Sequence, residues 1–490
     1  MDMMLPRRRR TLSTTVAAAA TLIGKWNPDD DSGYSLFFHA SDPEPDHFLR
    51  AAADLHRAML FFASDATNSH NGHVLVQAQE LLDTAMRRLQ LELRLLLSAP
   101  GQDHDAARLI RVVAEAMMAA GYGKECISTF KERRRAALAA TLRCLHTVVR
   151  FHKLNWDQVD DNIQSWLAAA RVAFSSLFPE EKELCGSVFA CNESVGDAVL
   201  AAISNDQATS LLSVAENAVA RARRAPERLF RVLDVHDLLT EVLPEILSVF
   251  GDRSEVAKRA CSALLKAGEA ARGALTSLET AIQKEPTKAT TAGGGAVHPL
   301  TRYVMNYLVF LADYEGALDR IWPQQKQQEQ EQAGIGWLVQ LLLRKIEGKA
   351  GSYREAALRH LFMANNTHYV ATKVGGSTKL QAILQAHEYR AAARRHLDAY
   401  VLAAWGKVLK AIAAADGVEA AVVEAVATQE RWVAADEEMG EALRAAATAA
   451  VVPRFRMFYR RHGAAVRLTP GDVNAMIGGL FAGLATDSSC

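Results

Sequence analysis

The chain has 490 residues, 50% of them hydrophobic, and its 56 Lys plus Arg balance 56 Asp plus Glu. That length can bury a large core and allows two to four domains, while a formal charge of zero gives no global field for nucleic acid, so partners must be sought in local patches. Six scattered cysteines without a CxxC pair argue against a zinc site or a disulfide scaffold, and no run of about eighteen apolar residues is present to span a bilayer. The expectation is a cytoplasmic protein with at most peripheral membrane contact.

Arg7 to Arg10 followed by TLSTTVAAAATLIG is basic, hydroxyl-rich and free of acids, as transit peptides are. The competing reading is an amphipathic first helix, capped by Ser13 or Thr14, with Leu22, Ile23 and Trp26 on one face. Asp29 to Asp31 and the Pro43, Pro45 pair bracket a loop-rich insert before helical spacing returns at Phe48 to Ala63, so residues 1–65 form their own segment and 66–490 the main body. Leu81, Leu82, Ala85, Leu89, Leu93, Leu96 and Leu97 predict a helix that Pro100-Gly101 stops. Asp103–Ala120 and Ile127–Leu145, the latter with Arg133, Arg134 and Arg135 exposed, make a helical hairpin around Gly121-Tyr122-Gly123.

Trp156–Phe178 reads as a helix closed by Pro179, followed by shorter ones at Val195–Ile203 and Ala208–Ala222. Pro226 starts Glu227–Leu243, and Pro244 is expected to kink or break it by removing a backbone donor. A long helix follows at Glu255–Ile282. PTKATTAGGGA at 286–296 and QQKQQEQEQ at 324–332 are the compositions of mobile linkers. Between them, His298–Leu318 carries apolar residues at three- and four-residue steps, with Pro299 in a first-turn position, and predicts one amphipathic helix. Further helices are expected at Leu338–Ile346, Tyr353–Thr372, Leu380–Ala386, Tyr389–Ala414, Ala420–Val433, Met439–Arg461 and Pro470–Leu484. No alternating strand pattern and no 34- or 40-residue repeat interrupts the series, so the fold class is all-α.

Catalytic signatures fail on spacing. His387-Glu388 lacks the second histidine of HExxH, since position 391 is Ala. Asp160-Asp161 and Asp29-Asp30-Asp31 lack the third ligand of DDxxD, and Gly121-Tyr122-Gly123-Lys124 is followed by Glu125 where a P-loop needs Ser or Thr. No enzyme, cofactor or metal is expected. His298 caps the helix it precedes or is solvated, and Tyr303, Tyr307, Phe310 and Tyr314 read as core at helical spacing. Asn192-Glu193-Ser194 and Asn365-Asn366-Thr367 have glycosylation spacing, read as chance. In VVPRFRMFYRR, about 100° per residue places Val451, Val452, Phe455, Phe458 and Tyr459 on one arc and Arg454, Arg456, Arg460 and Arg461 on the complementary one, with Arg467 following. These arginines are either a solvated face or a contact for an acidic partner.

HPLTRYVMNYL at His298–Leu308 closely resembles the signature of the plant Exo-seventy family of exocyst subunits. The likeness continues through GYGKEC at Gly121–Cys126, ENAVARARRAPERLFRVLDVHDLL at Glu216–Leu239 and LFMANNTHYVATKV at Leu361–Val374, and covers roughly Leu81 to the C-terminus. The resemblance implies an elongated rod of consecutive helical bundles that catalyses nothing and tethers secretory vesicles at the plasma membrane. Its implied partners are other exocyst subunits, a Rho-type small GTPase and a phosphoinositide membrane surface, the last through Arg454, Arg456, Arg460, Arg461 and Arg467. Three departures matter. The family's long N-terminal coil does not fit before residue 65, so residues 1–65 are at best a stub of it. Ala464 and Arg467 stand where the family's lipid site has two lysines. Between Leu409 and Trp432 the stretch DGVEAAVVEAVATQE is shorter than the family's loop and helix and lacks their aromatics, within a region, Asp416 to Arg444, that holds eight acids against two bases. A diverged partner-binding module that has lost exocyst assembly, for example in plant defence, is therefore the alternative.

Overall fold

Alanine-rich segments with a 3.6-residue apolar period bury one face each and leave the other wet, and that pattern becomes helix along the chain. The computed structural model describes residues 16–30, 35–39, 43–64, 72–98, 104–145, 156–222, 224–286, 293–322, 334–463 and 466–481, and every regular element among them is helical. The chain divides into two units, one of residues 1–222 and 234–269, the other of residues 223–233 and 270–490.

The first unit begins with α1 (16–25), which buries Val16, Ala19 and Ile23 as an amphipathic helix; the expected caps Ser13 and Thr14 lie outside the described residues. After a one-turn helix at Leu36–His39 come α2 (Glu44–Ser64), α3 (Gly72–Leu96), α4 (His104–Ala119) and α5 (Gly123–Leu145). Helix α2 packs on α3 across the boundary expected at residue 65. A buried carboxylate fastens this region: Glu92 accepts from Leu36 N at 2.7 Å and from Ser35 Oγ at 2.5 Å, and pairs with buried Arg88 one turn away. Arg88 in turn stands 5.2 Å over the Trp26 ring.

Next come α6 (Trp156–Val172), α7 (Phe178–Val188), α8 (Glu193–Ala222), α9 (Leu229–Phe250) and α10 (Glu255–Lys284). Pro179 does not end the helix before it. A π-turn at Ala173–Leu177 carries the helical path on, and the proline sits in the first turn of α7, where its missing N–H costs least. Likewise α8 is one helix where two were expected, started by Asn192, whose Oδ1 accepts from Val195 N at 3.3 Å. Pro244 lies inside α9 without breaking it, because Val242 and Ile246 are fully buried on either side and their packing offsets the lost hydrogen bond. Arg134 is also not simply exposed: its Nε donates to the buried Glu181 at 3.1 Å, an acid too distant in sequence for local pattern to reveal.

In the second unit α11 (Pro299–Leu311) is followed by a 3-10 turn at Ala312–Tyr314 and α12 (Glu315–Ile321), so the identifying stretch is broken once rather than continuous. Then come α13 (Ile335–Ala350), α14 (Ala356–Gly375), α15 (Thr378–Ile383), α16 (Ala386–Ala414), α17 (Val418–Gln429), α18 (Glu437–His462) and α19 (Pro470–Gly478). Helices α14 and α16 pack along their lengths, and Leu397, Tyr400 and Trp405 of α16 join Leu443, Val451 and Phe455 of α18 in one core. Of the stretch expected as a first linker, Gly293–Gly295 is built into this unit as a 3-10 turn with Gly295 buried. Residues 287–292 and the second expected linker, 324–332, lie outside the described residues.

Candidate membrane-contact site

The frame of the site is set by two buried asparagines that no charge or periodicity argument singles out. Asn365 Nδ2 donates to the carbonyls of Gly295 and Val433, both at 2.8 Å, and its Oδ1 accepts from Ala435 N at 2.9 Å. Asn366 Oδ1 accepts from His298 N at 2.9 Å and Thr301 Oγ1 at 2.6 Å, while its Nδ2 donates to Phe362 O at 2.7 Å. One turn of α14 thus clips together the glycine turn, the start of α11 and the loop 432–435. His298 takes the capping role, its Nδ1 accepting from Leu300 N at 3.1 Å. Gly294, at φ +64°, brings its carbonyl to Val433 N at 2.8 Å, and a Cβ there would fall 2.4 Å from Arg431 O.

That loop delivers the chain into α18. Asp436 caps the helix by accepting from Met439 N at 2.8 Å, and the same carboxylate lies 2.9 Å from His368 Nε2. Along α18 the sequence arcs separate as expected: Val451, Val452, Phe455 and Phe458 are buried, Tyr459 is half-buried, and Arg454, Arg456, Arg460 and Arg461 are exposed. Arg467 is exposed on the following loop, and Ala464 lies outside the described residues. None of the five arginines forms an ion pair with a described residue; Arg454 donates one N–H to Ala450 O at 2.7 Å. Residues 442–471 contain Arg444, Arg454, Arg456, Arg460, Arg461 and Arg467 and no Asp or Glu.

Acids close the patch on one side. Glu419, in the first turn of α17, accepts from the backbone N–H of Arg467 and, at 2.6 Å, from that of Leu468, so it braces the loop that carries Arg467. Asp472 is held by a reciprocal capping box with Thr469, and the hydrogen bonds it accepts from Thr469 keep its carboxyl below the usual carboxylate range. Glu424 is occupied by Lys407 at 2.9 Å. The acidic stretch therefore uses three of its carboxylates, on Glu419, Glu424 and Asp436, to fasten neighbouring segments.

The aromatic set on α11 is only partly core. Tyr307 is buried and donates to Pro226 O at 2.9 Å, with Phe230 packed against it at 5.0 Å, but Tyr303 is 45% and Phe310 60% exposed. Helical spacing groups these residues on one arc without saying how much of the arc is covered. Sequence reasoning also passed over Met457, which is 59% exposed among the arginines. Among the described residues no three His, Cys, Asp or Glu side chains gather as a metal site, and no helix is long and apolar enough to cross a membrane.

The class defined here is an all-helical bundle protein that carries, on one helix face near its C-terminal end, a row of exposed arginines without described ion pairs. Family patterns agree: the pattern for the C-terminal part of the Exo70 exocyst complex subunit matches residues 164–479, and that for the N-terminal part of exocyst complex component Exo70 matches residues 15–99. The chain belongs to the Exo70 family. It is 29% identical over 414 residues to exocyst complex component EXO70B1 of Arabidopsis thaliana, covering 76% of this chain and 66% of that relative. To EXO70B2 of the same plant it is 31% identical over 379 residues, covering 72% of this chain and 63% of the relative. It thus spans slightly less than two thirds of these relatives' lengths. The crystal structure of Saccharomyces cerevisiae Exo70p superposes with a TM-score of 0.62 at 12% identity, covering 96% of this chain and 100% of the yeast one, and shares the fold.

Proposed function

We propose that the chain acts as a non-enzymatic exocyst subunit in the tethering of secretory vesicles, at the cytoplasmic face of the plasma membrane, with other exocyst subunits and a Rho-type small GTPase as protein partners. Family membership supports the exocyst role. The observation that carries the membrane contact is the row of exposed arginines, Arg454, Arg456, Arg460, Arg461 and Arg467, unpaired with any described acid on a stretch that contains none. Their ligand is an anionic leaflet bearing phosphoinositides.

Each basic residue near such a leaflet contributes about 1 kcal/mol, so the five together bound the effect at roughly 5 kcal/mol. Binding is weaker than that bound, because engaging all five at once would require a helix face and a following loop to meet the leaflet together, and salt screens charges beyond about 8 Å. Co-sedimentation with vesicles containing 4,5-bisphosphorylated phosphatidylinositol tests this. Binding should fall as salt rises and should drop in an Arg456→Glu, Arg460→Glu double variant, while Arg133→Glu, on an exposed arginine of the first unit, leaves it unchanged. Equal binding by the double variant places the contact elsewhere. Affinity purification from plant cells tests the assembly: recovery of other exocyst subunits supports the tethering role, and partners without them support the diverged binding module.

A further inference from the structure

Met457 occupies the centre of the exposed face of α18. At about 100° per residue, Pro453, Arg454, Arg460 and Arg461 all lie within about 60° of it, and buried Phe455 lies about 160° away on the opposite side. It is one of the large apolar side chains left exposed in the protein, and its neighbours at three and four residues are three arginines and a proline. A single exposed apolar side chain is ordinary on a helix surface, and what distinguishes Met457 is that three exposed arginines flank it on a stretch without acids. That combination suits a face that meets the headgroup region, since cations at the phosphate level and an apolar side chain pointing past them match the two layers of a leaflet in depth.

We infer that Met457 is an insertion residue: when the arginines dock on an anionic leaflet, its thioether side chain enters the boundary between headgroups and acyl chains. This rests on the membrane reading above and adds an apolar contribution to it. The arginines bring the helix to the surface in a salt-dependent step, and Met457 supplies a contribution that salt does not screen. Phe455 and Phe458, which anchor the opposite arc in the core, hold the helix so that this face stays outward. The shape of the side chain suits the task, because its flexibility lets it fill irregular gaps between lipid chains.

The test compares wild type, Met457→Ser and Met457→Trp on vesicles of phosphatidylcholine with and without 4,5-bisphosphorylated phosphatidylinositol, at about 0.15 M and about 0.5 M salt. Partial burial of one methionine side chain corresponds to about a fivefold change in affinity. Met457→Ser should lose about that factor at both salt concentrations, with its salt dependence unchanged, and Met457→Trp should gain affinity, since Trp favours the interface. The Arg456→Glu, Arg460→Glu variant should instead flatten the salt dependence. In monolayers, wild type should raise the surface pressure and Met457→Ser should not. Unaltered affinity and pressure for Met457→Ser, with wild type bound, overturn the insertion while the electrostatic contact stands. Absence of wild-type binding to the phosphoinositide vesicles overturns both. Because the side chain is exposed, circular dichroism of the variants should match wild type, which separates loss of binding from loss of fold.

Discussion

Replacing Asn365 with Ala removes the one side chain that satisfies three backbone groups, the buried carbonyl of Gly295 and the half-buried Val433 carbonyl and Ala435 N–H. Asn365 itself is fully buried, so water reaches the Gly295 carbonyl only if the loop opens. At about 1 to 1.5 kcal/mol for the buried Gly295 carbonyl and about 0.5 to 1 kcal/mol for each half-buried group, the substitution should cost about 2 to 3.5 kcal/mol, against a typical domain stability of about 5 to 15 kcal/mol. Asn365→Asp should be no better. It keeps the acceptor for Ala435 N–H but turns a carboxylate toward two carbonyl oxygens, so its penalty should be larger at neutral than at acid pH. Urea unfolding gives the global cost, and amide exchange locates it: protection should fall first at 293–297 and 432–436, the segments the amide joins. A loss under about 1 kcal/mol with unchanged protection at those segments would refute the clip as the element that fixes the start of α18.

Gly294→Ala should destabilise by about 2 kcal/mol or more, measured by urea midpoint, because the added Cβ meets Arg431 O at 2.4 Å in a backbone of φ +64° that alanine resists. Glu92→Ala should cost about 3 kcal/mol or more by leaving Arg88 in a buried site without its carboxylate, and limited proteolysis should then release the segment that contains residues 16–64. His396 is held below the usual histidine range first by burial, then by His360 and Arg395, against the opposing pull of Glu347. Its folded form takes up a proton less readily than its unfolded form, so stability is full above pH of about 6.5 and declines as pH falls below that. His396→Gln should flatten that decline in urea titrations at pH of about 7.5 and about 5, and an unchanged slope would count against the assignment.

The helices were legible because burial along one face repeats every three to four residues, and α18 shows it most plainly: Val451, Val452, Phe455 and Phe458 alternate with arginines in a way that only a half-buried helix explains. What escaped depends on partners remote in sequence. Nothing local to Asn365 announces that its amide joins residue 295 to residues 433 and 435, or that Arg134 has a buried carboxylate waiting at Glu181. The break expected at Pro244 is absent for a related reason, since its local cost is set against burial of Val242 and Ile246 that the local sequence does not reveal. Tyr303 and Phe310 show the limit of periodicity from the other side, because an arc can be apolar and still be uncovered at its edges. At the candidate site the five arginines could be chosen from spacing and resemblance, whereas Met457 needed its surroundings, as an apolar residue is informative only once it is seen to be exposed.

The clip at Asn365 also bears on the compartments in which this chain can fold. Asn365-Asn366-Thr367 has the spacing that oligosaccharyltransferases modify, and the modified atom is Nδ2, the one that donates to Gly295 O and Val433 O. A sugar on that nitrogen has no room in a fully buried site and takes one of its two protons. A copy translocated into a glycosylating lumen and modified before it folds would therefore be unable to close the turn around residues 293–297, and the native fold and the glycan at this position exclude one another.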